Sequence, residues 1–222
     1  MLLSSAEAAN YVADRIPMNE VEQTQAIEYA LDNTAGVDEI RPFRSPYIYL
    51  REIQQRISDL KKDGIRPYDL EQYLAKTSAY YHQMEDKYIK RLHAFSLIYK
   101  KYEEIKTGSV PGIFDERGRY DFDDMIIFAA EALKNEPQLH DEYRRQYTHV
   151  MVDEFQDTNG AQLELLFTLL DYKDPNLCCV GDDDQSIYRF QGASVANFKL
   201  LKDRFPGLKT IQLKDNYRSS ED

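Results

Sequence analysis

Tryptophan is absent from the 222 residues, and cysteine is confined to the adjacent pair Cys178 and Cys179. Two neighbouring thiols with no second pair build neither a disulfide framework nor a four-ligand zinc site, so they are expected to be small core residues. Long apolar runs are also missing. The longest nearly apolar stretches, residues 125–130 and 163–170, fall far short of the roughly 20 residues that span a bilayer. No membrane partner is expected. Residues 1–16 lack a basic start and a continuous apolar segment, so no secretory signal is read and a cytoplasmic address is expected. Positive charge is scarce, with 28 Lys plus Arg against 39 Asp plus Glu for a net −11. This argues mildly against a broad grip on nucleic-acid phosphates, although a locally basic channel is compatible with an acidic chain. The four histidines show no metal-ligand spacing. What is present, 42% hydrophobic residues with 17 Tyr and 10 Phe, is the composition of a folded chain rather than a disordered one.

Charge and periodicity divide the chain. Residues 1–43 carry 2 basic and 8 acidic side chains, residues 44–106 carry 13 and 9, and residues 107–222 carry 13 and 22. The middle stretch holds 9 of the tyrosines. Its basic excess is most simply a solvated helical face, with contact to duplex DNA as the alternative. Met84, Tyr88, Leu92, Phe95, Tyr99 and Tyr102 recur at helical spacing, which predicts a helix over 78–106 that turns this stripe to a core. Shorter helices are expected over 46–62 and 68–75. Beyond the Gly-containing stretch 108–118, a helix is expected over 121–134, its early acidic residues favoured by the helix dipole. Then strand 148–152, helix 162–170, strand 176–180, helix 195–205 and strand 210–213 alternate, the signature of a parallel α/β sheet. Ligands bind such sheets at the carboxyl ends of the strands.

Two polar clusters stand at those ends. Asp153-Glu154-Phe155-Gln156-Asp157 follows the apolar run His149 to Val152, the arrangement in which an Asp holds Mg²⁺ beside nucleotide phosphates and the next acid accepts a proton from water. The structural alternative, at even weight on this cluster alone, is that these acids cap the helix starting near Asn159. Gly181-Asp182-Asp183-Asp184-Gln185-Ser186-Ile187-Tyr188-Arg189-Phe190 is the second cluster. Three successive carboxylates repel one another and add little to a purely structural loop, while Gln185 is suited to sensing a phosphate or its attacking water. Tyr188 and Phe190, two apart, project to one side of an extended segment; they offer faces for bases to stack on, or else pack in the core.

Asp153 to Asn159, Gly181 to Tyr188 and Asn216-Tyr217-Arg218-Ser219, in that order, resemble motifs II, III and IV of superfamily 1A DNA helicases of the UvrD/Rep/PcrA type. Tyr120 to Ile126 is similar to the segment that re-enters the first RecA-like domain after its helical insertion. The resemblance implies an α/β fold: a partial RecA-like parallel sheet of the P-loop NTPase type, lacking the P-loop and preceded by a mainly helical insertion domain. It implies insertion over 1–119, the C-terminal part of the first motor domain over 120–215 and the start of the second over 216–222. By position, Asp153 would hold Mg²⁺, Glu154 would be the general base for water attack on ATP, and Gln185 would link the γ-phosphate to the DNA site. Arg218 would contact the γ-phosphate, Tyr217 would stack on adenine, and Tyr188 and Phe190 would stack on single-stranded DNA. The family pattern usually has Trp and Arg where this chain has Phe190 and Gln191, and Gln191 brings no charge to that contact.

No Gly-Lys dipeptide occurs, so the phosphate-cradling Gly-x-x-x-x-Gly-Lys-Ser/Thr loop is not found in these residues. Together with the resemblance, this implies a piece of a helicase that, by the resemblance alone, moves 3' to 5' on single-stranded DNA and at duplex junctions with ATP and Mg²⁺ once joined to the remainder of its polypeptide. Alone it is expected to bind neither ATP nor Mg²⁺ and to be inactive. A non-catalytic helicase-like module that binds DNA or a partner is the rival. A metal-dependent nuclease using Asp153, Glu154 and Asp182 to Asp184 ranks third, since it leaves the residues around Gln185 and Arg218 without a role.

Overall fold

The computed structural model describes residues 15–77, 86–110, 112–114, 117–171, 173, 175–182 and 196–213. Strand β1 (Ile16–Pro17) leads into α1 (Glu20–Asn33), whose start is fixed by a capping box: the Asn19 side chain accepts from the Glu22 amide and Glu22 accepts from the Asn19 amide. Helices α2 (Leu50–Lys62), α3 (Pro67–Thr77) and α4 (Asp86–Lys106) follow. Strand β2 (Arg119–Tyr120) then pairs in parallel with β1, so the two short strands bracket the helical stretch.

The core of this stretch joins Ala26, Ala30 and Leu31 of α1, Ile53 and Ile57 of α2, and Ala94, Ile98, Tyr99, Tyr102 and Ile105 of α4. The Tyr99 hydroxyl donates to the Ile65 carbonyl at 2.9 Å, which satisfies the one polar atom of that ring. The buried stripe of α4 is turned slightly from the expected one. Tyr88 is 51% exposed, whereas Ala94 and Ile98 are fully buried in one core with Ala26 and Ala30 of α1. Residues 78–85, where this helix was expected to begin, lie outside the described residues.

From β2 onward the chain runs α5 (Asp124–Asn135), α6 (Pro137–Gln146), β3 (Val150–Val152), a 3-10 turn (Phe155–Asp157), α7 (Gly160–Leu169), β4 (Leu177–Cys179) and α8 (Ala196–Arg204). Helix α6 was not anticipated: only Leu139 and Tyr143 of its residues are buried, too few to print a periodic pattern. Proline at its first turn and the Leu139–Tyr143 contact with Ala132 and Leu133 account for it.

β3 and β4 pair in parallel in the register Val150 to Leu177, Met151 to Cys178 and Val152 to Cys179. One face of this sheet, Val150, Val152, Leu177 and Cys179, packs on Phe155, Leu163, Leu166, Leu170 and Leu201. The other face is open: Met151 is 82% exposed and Cys178 is exposed. Cys178 is therefore not the core residue expected from its apolar run, because the described sheet is covered on one side. Residues 210–213 are also not the expected strand. Ile211 and Leu213 are more than four-fifths exposed, with no neighbouring strand among the described residues to pair with. No helix among the described residues is long and apolar enough to cross a membrane.

The start of α5 departs from expectation in a way that matters. Asp121 precedes the helix instead of sitting in its first turn, and it is buried with Asp124 against two buried lysines. Lys61 of α2 donates to both Asp121 oxygens at 2.6 Å and to Asp124. Lys106, the last residue of α4, reaches Glu103 at 2.9 Å, Asp121 at 3.2 Å and Asp124 at 2.6 Å. Tyr102 adds its hydroxyl to Asp121 at 3.0 Å. Two of the basic residues expected on a solvated face are thus internal counter-ions. Oxygens of Glu103, Asp121 and Asp124 lie within 4.8 Å of one another, and the lysines supply the positive charge among them. Burial pushes the Asp121 carboxyl up, but Lys106 and Lys61 pull harder and hold it well below the usual carboxylate range.

Candidate active site at the ends of the parallel strands

The two strands continue as a short hydrogen-bonded ladder past their ends. The Val180 amide donates to the Val152 carbonyl at 2.8 Å, and the Phe155 amide donates back to the Val180 carbonyl at 2.9 Å. Asp153 and Glu154 are caught between these two bonds, at the carboxyl end of β3, and both are exposed. The backbone turns there in one residue: Glu154 has φ 50° and ψ 46°, and it is the single non-glycine residue with positive φ among those described. That left-handed conformation is unfavourable for a residue with a β-carbon and persists only where its surroundings hold it.

Phe155 is the anchor. It is fully buried, and its ring meets Phe198 of α8 edge-on at 5.0 Å, so the turn is fastened to the core directly behind the two acids. Asn197, also buried, donates to the Thr158 carbonyl at 2.6 Å and fixes the far side of the 3-10 turn. The Asp153 carboxylate accepts from the Glu154 amide at 3.0 Å. The Glu154 carboxylate accepts from Gln156 Nε2 at 2.6 Å, and Gln156 Oε1 accepts from the Asp182 amide at 3.0 Å.

Helix α7 is capped without the acids. The Asn159 side chain accepts from the Gln162 amide at 2.9 Å, and the Gln162 side chain accepts from the Asn159 amide at 3.0 Å. Both halves of the capping box are filled, which removes the structural alternative for Asp153 and Glu154. Beside them lies a cleft of about 450 Å³, lined by Val152, Asp153, Glu154, Asp157, Thr158 and Gln162 with leucines of α7 beneath. One carboxylate oxygen of Asp157 is buried with no hydrogen-bond partner. Exposed carboxylates with free oxygens suit Mg²⁺, a hard cation that keeps waters and takes one or two protein carboxylates together with phosphate oxygens. The donor set at Asp153 fits that ion.

Of the residues assigned from the sequence, the structure places Asp153 and Glu154 side by side and brings Gly181 and Asp182 to the adjoining Phe155 and Gln156. Gln185, Tyr188, Phe190, Tyr217 and Arg218 lie outside the described residues, as do Asp183 and Asp184. Gln156 was missed as a participant because a glutamine in a turn carries no pattern of its own; its role shows only in the contacts it makes.

The sequence profile of the UvrD/REP helicase N-terminal domain matches residues 3–206. The chain belongs to that family. Among curated relatives of this UvrD/REP family member, DNA helicase II of Escherichia coli is 33% identical over 170 residues, which are 77% of this chain and 20% of the relative. ATP-dependent DNA helicase UvrD1 of Mycobacterium bovis is 41% identical over 127 residues, 51% of this chain and 16% of the relative. A putative ATP-dependent DNA helicase, YjcD of Bacillus subtilis, is 39% identical over 123 residues, 55% and 15% of the two chains. The chain thus spans a fifth or less of the length of these relatives.

Proposed function

We propose that this chain is a segment of an ATP-dependent DNA helicase and carries the metal-binding and water-activating carboxylates of its first motor domain. The observation that supports this most is the pairing of Asp153 and Glu154 on a strained turn at the carboxyl end of a parallel strand, beside a cleft and free of any capping duty. Parallel α/β sheets place ligands at that edge. Asp153 would hold Mg²⁺, which when bound would neutralise phosphate charge. Glu154, adjacent and exposed, accepts the proton of the attacking water as general base. Phe155 and Asn197 keep the turn rigid, so the base is positioned before the nucleotide arrives.

Gln185 senses the γ-phosphate and couples it to the DNA site, Arg218 and Tyr217 complete the nucleotide site, and Tyr188 and Phe190 stack on bases of single-stranded DNA. Residues 1–119 form the insertion, residues 120–215 belong to the first motor domain and residues 216–222 open the second. Movement is 3' to 5', on single strands and at duplex junctions. Alone, the 222 residues neither bind nor hydrolyse ATP, since a triphosphate must be cradled before a strand-end carboxylate organises it. Phosphate release by the complete polypeptide in the presence of single-stranded DNA tests the assignment. Asp153→Asn is expected to lower Mg²⁺-dependent turnover at least about 100-fold, and undiminished turnover removes Asp153 from the metal site.

A further inference from the structure

Gln156 is 4% exposed, and it spends both ends of its amide on neighbours of opposite kind. Its Nε2 donates to a Glu154 carboxylate oxygen at 2.6 Å, and its Oε1 accepts from the backbone amide of Asp182, just past β4, at 3.0 Å. The two contacts fix the amide in one orientation, since a flipped group would set NH₂ against N–H and oxygen against carboxylate. Neither contact is needed to build the turn: Phe155 anchors it in the core, and the Phe155 and Val180 amides already close the ladder.

Gly181 shows that room has been left for this link. A β-carbon there would stand 2.7 Å from Gln156 Oε1, closer than β-carbons come, and a tight 3.1 Å from the Phe155 nitrogen. A glycine at this point lets the segment after β4 come close enough for its Asp182 amide to reach the glutamine. The carboxylate that takes part belongs to Glu154, the left-handed residue of the turn. Three features of the turn, the strained torsion, the missing side chain at Gly181 and the buried glutamine, converge on one connection.

We propose that Gln156 is a positioning residue that ties the Glu154 carboxylate to the segment following β4, so that displacement of Gly181 and Asp182 moves the carboxylate that activates water. The role rests on the assignment of Glu154 as the base. A glutamine suits it because one side chain must both donate to a carboxylate and accept from a backbone amide. Glutamate keeps the acceptor and loses the donor, and methionine loses both while filling similar space.

The test uses that difference. In the 222-residue chain, amide hydrogen exchange at Asp182 is expected to be at least about tenfold faster in Gln156→Met than in wild type, and near wild type in Gln156→Glu. In the complete polypeptide both variants are expected to lower kcat by about tenfold with an unchanged KM for ATP, because both release the Glu154 carboxylate. A merely structural role would make Asp182 amide protection and turnover fall together in both variants. Gly181→Ala, whose β-carbon displaces the amide, is expected to reproduce the Gln156→Met pattern and serves if Gln156→Met does not fold. Equal Asp182 exchange in wild type and Gln156→Met, or in Gly181→Ala where that variant stands in for it, overturns the inference. So does an unchanged kcat in the variant used where Glu154→Gln has lost turnover. Retained turnover in Glu154→Gln overturns the assignment of the base itself.

Discussion

At Glu154 a single left-handed residue turns the chain out of β3 at a cost of about 1–3 kcal/mol, offset by Phe155 in the core behind it. Strain of this size at an exposed acid is not needed for packing. Asn159 carries the ordinary structural duty nearby, and the division of labour is measurable. Asn159→Ala is expected to cost about 1 kcal/mol through loss of the capping box, whereas Asp153→Asn is expected to change stability by no more than about 0.5 kcal/mol. Chemical denaturation of the three proteins reads both values. A large loss in Asp153→Asn with none in Asn159→Ala would return the acids to a capping role.

Between elements, the buried ion network holds α2, α4 and the start of α5 together. Removing one cation leaves three acids to the single remaining Lys106, so Lys61→Met is expected to cost roughly 3–5 kcal/mol. The pH dependence follows from the directions of the shifts. Asp121, held below the ordinary carboxylate value of 3.8, contributes stability that is fully present above that value and lost as pH falls through its lower folded pKa. Glu103 acts in the same sense: burial raises it, but Lys106 and Lys61 bring it below normal. Asp124 opposes them, since burial together with the charges of Glu103 and Asp121 outweighs the lysines and leaves its carboxyl above normal. At Lys106 burial favours loss of the proton, but Glu103, Asp124 and Asp121 outweigh it and raise the pKa above 10.5; its contribution is present below that value and lost as pH rises through the folded one. Wild type and Lys61→Met should therefore differ most between about pH 5 and 10 and converge in acid; denaturation midpoints across pH 2–11 check this.

The elements most legible in the sequence were those with dense apolar marks. The strands before Asp153 and Gly181 and the helix after Asn159 announced themselves by short apolar runs and a capping residue. Lys61 and Lys106 did not, because a lysine at a helix end reads as solvent-facing until a distant Asp121 is known to meet it. Helix α6 escaped for want of apolar positions, and residues 210–213 carried a strand pattern without a partner strand among the described residues to realise it. At the site, strand-end acids were visible from the order of residue types, while the Gln156 link, made across 26 positions to Asp182, had no local signature.

For the whole molecule, the open face of the β3–β4 sheet is the most informative feature. Parallel sheets are normally covered on both sides, yet Met151, Cys178 and Val180 face outward, and Ile211 and Leu213 are exposed as well. The isolated chain is expected to associate at micromolar concentration and to bind a hydrophobic dye, and Met151→Lys should weaken both by light scattering and fluorescence. The proposed role of the turn after β3 is to activate water for ATP hydrolysis. The most direct measurement is nucleotide binding and DNA-stimulated phosphate release by the complete polypeptide carrying Glu154→Gln. Binding retained with turnover reduced at least about 100-fold is the predicted result; turnover equal to that of the wild type would contradict it.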